Sequence, residues 1–172
     1  MHAKNYRPVK GQNYTRKEFV KGFPPPKITK FTMGDTKAKF AFEAKLIALE
    51  QAQIRHCALE AARVASNRIL LAKLVNNYRL DVHPYPHTIL RENKMIFGAH
   101  ADRLQTGMRL SFGRPIGTAA RVKANQTIIS INVNAEGIEA AKLGLKRGAT
   151  KLPIPCRIVV EKTQAEEAKV IG

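Results

Sequence analysis

Between Phe40 and Asn76 the chain changes its hydrophobic period once, and that change restricts what it can fold into. Phe40, Phe42, Ala44, Leu46 and Ala48 recur at every second residue, the period of a strand with one apolar face. From Gln51 the period becomes that of a helix, and Ile54, Ala58, Ala61, Ala65, Ile69, Ala72 and Val75 predict one apolar stripe extending to about Asn76. At the helical rise such an element is about 40 Å long, and its alanines let it approach a sheet closely. Leu70, Leu71 and Leu74 make the last turns apolar all round, which predicts that this end is buried. A strand feeding a long one-sided helix requires a layered body in which helix packs on sheet.

The flanking segments extend this pattern. Ile28 to Met33 alternates and stops at Gly34-Asp35, which predicts a turn and, with the strand after it, a β-hairpin. Short strands are expected at 78–82 and 87–91, around His83-Pro84-Tyr85-Pro86-His87. Segments 119–123 and 127–133 alternate about Ala124-Asn125-Gln126 and predict a second hairpin. Asn134 as N-cap, Glu136 and Glu139 in the first turns, and Lys146 and Arg147 before Gly148 predict a second helix, followed by a strand over 156–161. The sum is an α+β fold, a two-layer sandwich of two main helices on a mixed sheet. It occupies 28–162 as a single domain, between an extended basic arm at 1–27 and a polar tail at 163–172.

Charge decides what such a body is for. The chain has 30 Lys+Arg against 13 Asp+Glu, a net charge of +17, yet 44% of it is hydrophobic. Self-repulsion of that size destabilises a compact state unless a polyanion offsets it. No stretch approaches the roughly 20 apolar residues that span a bilayer, and the basic, polar beginning contains no signal segment, so a soluble cytoplasmic protein is expected. Cys57 and Cys156 lie far apart and outside any CxxC arrangement, which fits buried small hydrophobes. His83 and His87 would sit about 12 Å apart in an extended Pro-rich segment, too far to share a metal. The glycines match neither GxxxxGK[ST] nor GxGxxG. Neither a cofactor nor a small-molecule substrate is expected. A nuclease built on His100 and Asp102 would need a reacting geometry that an irregular loop does not fix, so no enzyme is expected either.

Two segments concentrate the cations. The first carries Lys4, Arg7, Lys10, Arg16, Lys17, Lys21 and Lys27 against Glu18 alone, with Tyr6, Tyr14, Phe19 and Phe23 between them and the run Pro24-Pro25-Pro26 near its end. Proline denies it helix and central-strand pairing, and rings beside cations suit unpaired bases and phosphates together. Fully extended, such an arm reaches roughly 80 to 90 Å. The second, GAHADRLQTGMRLSFGRPIGTAARVK at 98–123, has four glycines, several arginines and the single acid Asp102. Glycine permits close backbone approach and arginine binds phosphate in a fork, a combination that suits a finger packed in nucleic acid. The candidate RNA-binding residues are Lys4, Arg7, Lys10, Tyr14, Arg16, Lys17 and Lys21 on the arm, Arg55 and Arg63 on the helix, and Arg91, Arg121 and Lys123 on the strands.

Particular runs carry a resemblance. Tyr14-Thr15-Arg16-Lys17-Glu18, Gln53-Ile54-Arg55, the helix from Ala58 to Arg68, Pro84-Tyr85-Pro86-His87, and Ala101-Asp102-Arg103-Leu104-Gln105-Thr106-Gly107-Met108-Arg109 followed by Phe112-Gly113 are similar, in the same order, to the universal L-sixteen family of large-subunit ribosomal proteins. Its archaeal and eukaryotic branch is called L-ten-e. The resemblance implies a hammerhead-like α/β core without enzymatic activity, bound to large-subunit rRNA near the aminoacyl-tRNA site, among neighbouring ribosomal proteins and in the cytoplasm. It implies that loop 100–114 faces tRNA, with Arg103, Gln105, Thr106, Arg109 and Arg114 nearest the functional centre. The short stretch after Glu166-Glu167 and the lack of a transit peptide resemble the archaeal form. The competing expectation from charge alone is an RNA chaperone or tRNA-binding module outside the ribosome.

Overall fold

The body is organised by one bent, two-stranded antiparallel ribbon. The computed structural model describes residues 6–92 and 113–163. Its strands are β1 (Thr32–Gly34), β2 (Phe42–Ala48), β3 (Ala52–Arg55), β4 (Arg79–Val82), β5 (Thr88–Glu92), β6 (Arg114–Val122), β7 (Thr127–Val133) and β8 (Cys156–Lys162). Its helices are α1 (His56–Leu74) and α2 (Ile138–Ala149), with 3-10 turns at Lys17–Phe19 and Ala135–Gly137. Strand β2 pairs with β7, and β3, which continues it, pairs with β6, which precedes β7. At the bend the Ala48 amide donates to the Gln126 carbonyl at 3.0 Å and the Asn125 amide to the Ala48 carbonyl at 2.8 Å. Asn125 takes φ 61°, a left-handed conformation that asparagine tolerates better than most residues.

Each half of the ribbon acquires further strands. One half becomes a five-stranded sheet in the order β1-β4-β7-β2-β8, and the other a three-stranded sheet in the order β3-β6-β5. Every ladder among the described residues is antiparallel. The α+β class and the two helices stand, but the mixed sheet is corrected to two antiparallel sheets. Neither expected hairpin forms. Strand β1 leaves its sequence neighbour and pairs with β4, where Gly34, at φ 86°, is packed so closely against Tyr78 that a side chain there would meet the Tyr78 carbonyl. Strands β6 and β7, adjacent in sequence, belong to different sheets. Long-range pairing along the ribbon outweighs the local turn signals, because it buries both apolar faces at once.

The expected long helix divides in two. Residues 52–55 form β3, and the helix starts at His56. Its buried side carries Leu59, Ala62, Ser66 and Leu70 rather than the stripe through Ala58, Ala61, Ala65 and Ile69, and Leu71 is exposed. That buried side meets Ala140, Ala141, Gly144, Leu145 and Gly148 of α2. The two helices approach closely because the facing residues are small, and the Ser66 hydroxyl donates to the Gly144 carbonyl at 3.1 Å. Leu46, Ile54, Leu80, Val122, Ile129, Ile131 and Leu145 join strands and helices in one apolar core. Asn134 precedes a 3-10 turn and makes no side-chain cap, so α2 begins three residues later than the N-cap signal implied. Among the described residues no helix is long and apolar enough to cross a membrane.

Candidate nucleic-acid interface

The described part of the basic arm is strapped across the three-stranded sheet. At the outer edge of β3, the Gln53 amide donates to the Arg7 carbonyl at 2.9 Å, and its side-chain amide reaches the Tyr6 carbonyl at 3.1 Å. At the opposite edge, the Ile89 amide of β5 donates to the Tyr14 carbonyl at 2.8 Å. Between the two, Arg121 on the central strand β6 donates to the carbonyls of Lys10, Gly11 and Gln12. Thr88 also bonds the Asn13 side chain, and the Tyr6 hydroxyl donates to the Arg91 carbonyl at 3.2 Å. Burial, reinforced by the negative charge of Glu92, raises the Tyr6 phenol above its ordinary pKa and keeps it a donor. The arm thereby meets each outer strand edge, which would otherwise template unwanted pairing, at one backbone amide.

This strap presents its charge outward. Arg7, Lys10, Arg16, Lys17, Lys21 and Lys27 are exposed, with Glu18 the one acid among them. Arg7 pairs with Glu50 at 2.9 Å and lines a cleft of about 170 Å³ with Arg55 and Lys151. Lys151 follows α2 in the chain and carries no local signal; only the fold brings it beside the arm. Arg91 lies over the Tyr14 ring at 4.5 Å, holding a cation and an aromatic face together at the β5 edge. Lys123 is exposed at the ribbon's bend and Arg114 is exposed at the start of β6.

Arg121 and Arg63 are turned to internal structural partners. Arg121 binds the arm's carbonyls, so it positions the arm's other cations. Arg63 donates to Glu60 through two nitrogens and approaches the Met33 sulfur, with its side chain only 14% exposed. The Glu60 hydrogen bonds push its pKa further up. Lys4, Arg103, Gln105, Thr106 and Arg109 lie outside the described residues, as do most of loop 100–114, His100 and Asp102.

His56 sits where arm, helix and small sheet meet. Its Nδ1 accepts the Lys27 amide at 2.9 Å, while its Nε2 lies under Gly117 of β6, where an added Cβ would come within 2.8 Å. Burial, followed by the nearby charges of Lys27 and Arg55, lowers the pKa of this imidazole from its ordinary value. Among the described residues no group of three or more His, Cys, Asp or Glu could hold a metal. His83 and His87 go separate ways, the first bonding the Ser130 hydroxyl at 2.9 Å and the second packing on Tyr85.

Known proteins resemble the chain over almost its full length. The family model for ribosomal protein L16p/L10e matches residues 9–159. A Thermoplasma volcanium protein called large ribosomal subunit protein uL16 is 49% identical over 171 residues, covering 99% of this chain and 97% of its own. The protein of the same name from Sulfolobus acidocaldarius is 49% identical over 166 residues, with 95% and 94% covered. That from Methanococcus maripaludis is 48% identical over 163 residues, with 94% of each covered. The chain belongs to the ribosomal protein L16p/L10e family, in its archaeal form, a family of ribosome components rather than enzymes.

Proposed function

We propose that this chain is a structural constituent of the large ribosomal subunit in the cytoplasm, bound to large-subunit rRNA near the aminoacyl-tRNA site and supporting tRNA positioning. The observation that carries the reading is the strapped arm. Its hydrogen bonds to β3, β5 and β6 hold a row of exposed cations on a rigid sheet, so much of the ordering cost of binding is met before RNA arrives. Arg7, Lys10, Arg16, Lys17 and Lys21 on this surface, with Lys4 before it, neutralise phosphates and release their counterions. Arg55, Arg91, Lys123 and Lys151 widen the same basic region, Tyr14 adds a ring to it, and Arg121 braces it from within, while Arg63, held by Glu60 and Met33, adds charge on the helix. Loop 100–114, with Arg103, Gln105, Thr106, Arg109 and Arg114, extends toward tRNA, and residues 28–162 act as one rRNA-binding domain beside neighbouring ribosomal proteins. The chemistry of peptide synthesis stays with the RNA.

Sedimentation of the native protein in cell lysate tests this directly. Co-migration with large subunits, abolished by ribonuclease, is expected. A protein found only at the top of the gradient contradicts the proposal and favours a free RNA chaperone or tRNA-binding module.

A further inference from the structure

Outside the arm's strap, one surface combines exposed rings with cations. Segment 83–87 alternates strictly: Pro84 and Pro86 are buried, while His83, Tyr85 and His87 are exposed. The prolines fix φ and remove two backbone donors, so Tyr85 projects from a stiff support. The Phe31 ring stacks on Tyr85 with centroids 5.3 Å apart at 27°, and His87 lies 4.6 Å from Tyr85 at 51°. Backbone bonds anchor both segments, from the Val82 amide to the Phe31 carbonyl at 2.8 Å and from the His83 amide to the Ile128 carbonyl at 3.0 Å.

Cations from the arm complete the arrangement. Lys17 Nζ stands 5.5 Å from the Phe23 centroid and 6.0 Å from that of Tyr85. Next to it the Arg16 guanidinium lies 5.8 Å from the centroid of Phe19, which is 74% exposed. Tyr85 is itself 41% exposed, and neither its hydroxyl nor the His87 ring nitrogens hydrogen-bond to another described residue. The surface therefore offers a ring face, an ammonium and free polar groups within one small area.

We infer that Phe31, Tyr85 and His87, with Lys17 beside them, form a stacking platform for an unpaired RNA base. A nucleotide joins a flat π face to an anion and carries donors and acceptors on its edge, which is the set of groups this surface complements. The inference rests on the proposed rRNA-binding reading and specifies what kind of RNA this face takes, a base turned out of a helix rather than a duplex backbone.

The full-length chain is titrated with single-stranded oligoadenylate and with an abasic ribose-phosphate oligomer of the same length and charge. Wild type binds the adenylate more tightly. Tyr85→Ala weakens adenylate binding about five- to a hundredfold, leaves the abasic affinity unchanged and removes the preference. Tyr85→Phe retains it. Equal affinities in wild type, or an undiminished preference in Tyr85→Ala, overturn the inference. Ultraviolet cross-linking of wild type to the adenylate needs no variant: attachment at Phe31 or within 83–87 supports the platform, and attachment only elsewhere rejects it. If wild type shows no base preference but Tyr85→Ala fails to enter large subunits, the surface docks a protein and the inference is wrong. A wild-type chain that co-sediments with large subunits yet lacks base preference sinks the platform alone, whereas absence from the subunits sinks the broader reading.

Discussion

The guanidinium of Arg121 donates to the carbonyl of Gly11 at 2.9 Å, tying a residue of the central small-sheet strand to the middle of the arm. The same group reaches the Gln12 carbonyl at 3.0 Å and that of Lys10 at 3.3 Å. Arg121→Ala therefore frees the arm's crossing, at a local cost of about 1–3 kcal/mol. The Gln53 and Ile89 amides, which donate to the arm at the two edges, should exchange hydrogen faster. Arg121→Lys should recover little, since one ammonium lacks the planar fork that spans three carbonyls. Unchanged protection at both amides would show that the strap does not depend on Arg121.

Glycine at 148 sets the separation of the two helices. A Cβ there would lie 2.4 Å from the Ser66 Oγ but 3.8 Å from the Ser66 Cβ. Gly148→Ala should destabilise the fold by about 1–3 kcal/mol through overpacking, even though alanine is the better helix former. Adding Ser66→Ala removes the clashing oxygen, so the double variant should be more stable than the sum of the single effects predicts. Chemical denaturation of all four chains measures this coupling, and strict additivity would place the close approach elsewhere.

What could be read from the sequence follows from how local each signal is. The β2 alternation needs no partner to be visible, and Ala44, Leu46 and Ala48 are indeed buried. Helix α1 was legible as a helix but not in its facing: Ala61, Val64, Leu71 and Ala72 are exposed while Ser66 is buried. Apolar residues lie on nearly every side of it, so period alone cannot choose among them, and Ser66 is acceptable inside only because the Gly144 carbonyl accepts its hydrogen bond. Strand partners were illegible, because turn chemistry at Gly34 and Asn125 reports a change of direction without saying which strand is met next. At the interface, the arm's cations were plain in the sequence. Arg121's use as a clamp and Lys151's place beside Arg7 and Arg55 depend on contacts between distant segments.

His56 makes stability fall with acid. Its pKa in the fold lies below its ordinary value of about 6.5, so as pH falls the unfolded chain takes up the proton first. The stabilisation is complete above about pH 6.5 and is lost as pH drops through that value toward the folded-state pKa. His56→Asn keeps a short acceptor for the Lys27 amide without titrating, so its melting temperature should fall less than that of wild type between pH 7 and 5. Parallel pH profiles for the two chains would remove His56 from the acid sensitivity.

The loop makes a separate claim about tRNA. Deleting residues 103–114 should leave subunits able to assemble through the arm and body, while tRNA binding and peptide synthesis decline. Assembled particles with full activity would show that the segment is not a functional contact.

The most direct test of the central claim, that phosphate neutralisation by this basic surface holds the protein on RNA, is the salt dependence of its affinity for large-subunit rRNA. With about ten phosphates neutralised, the logarithm of the association constant should fall against the logarithm of salt concentration with a slope of about −7 to −9. A slope shallower than about −3 would mean that only a few phosphates are engaged, and would contradict the account.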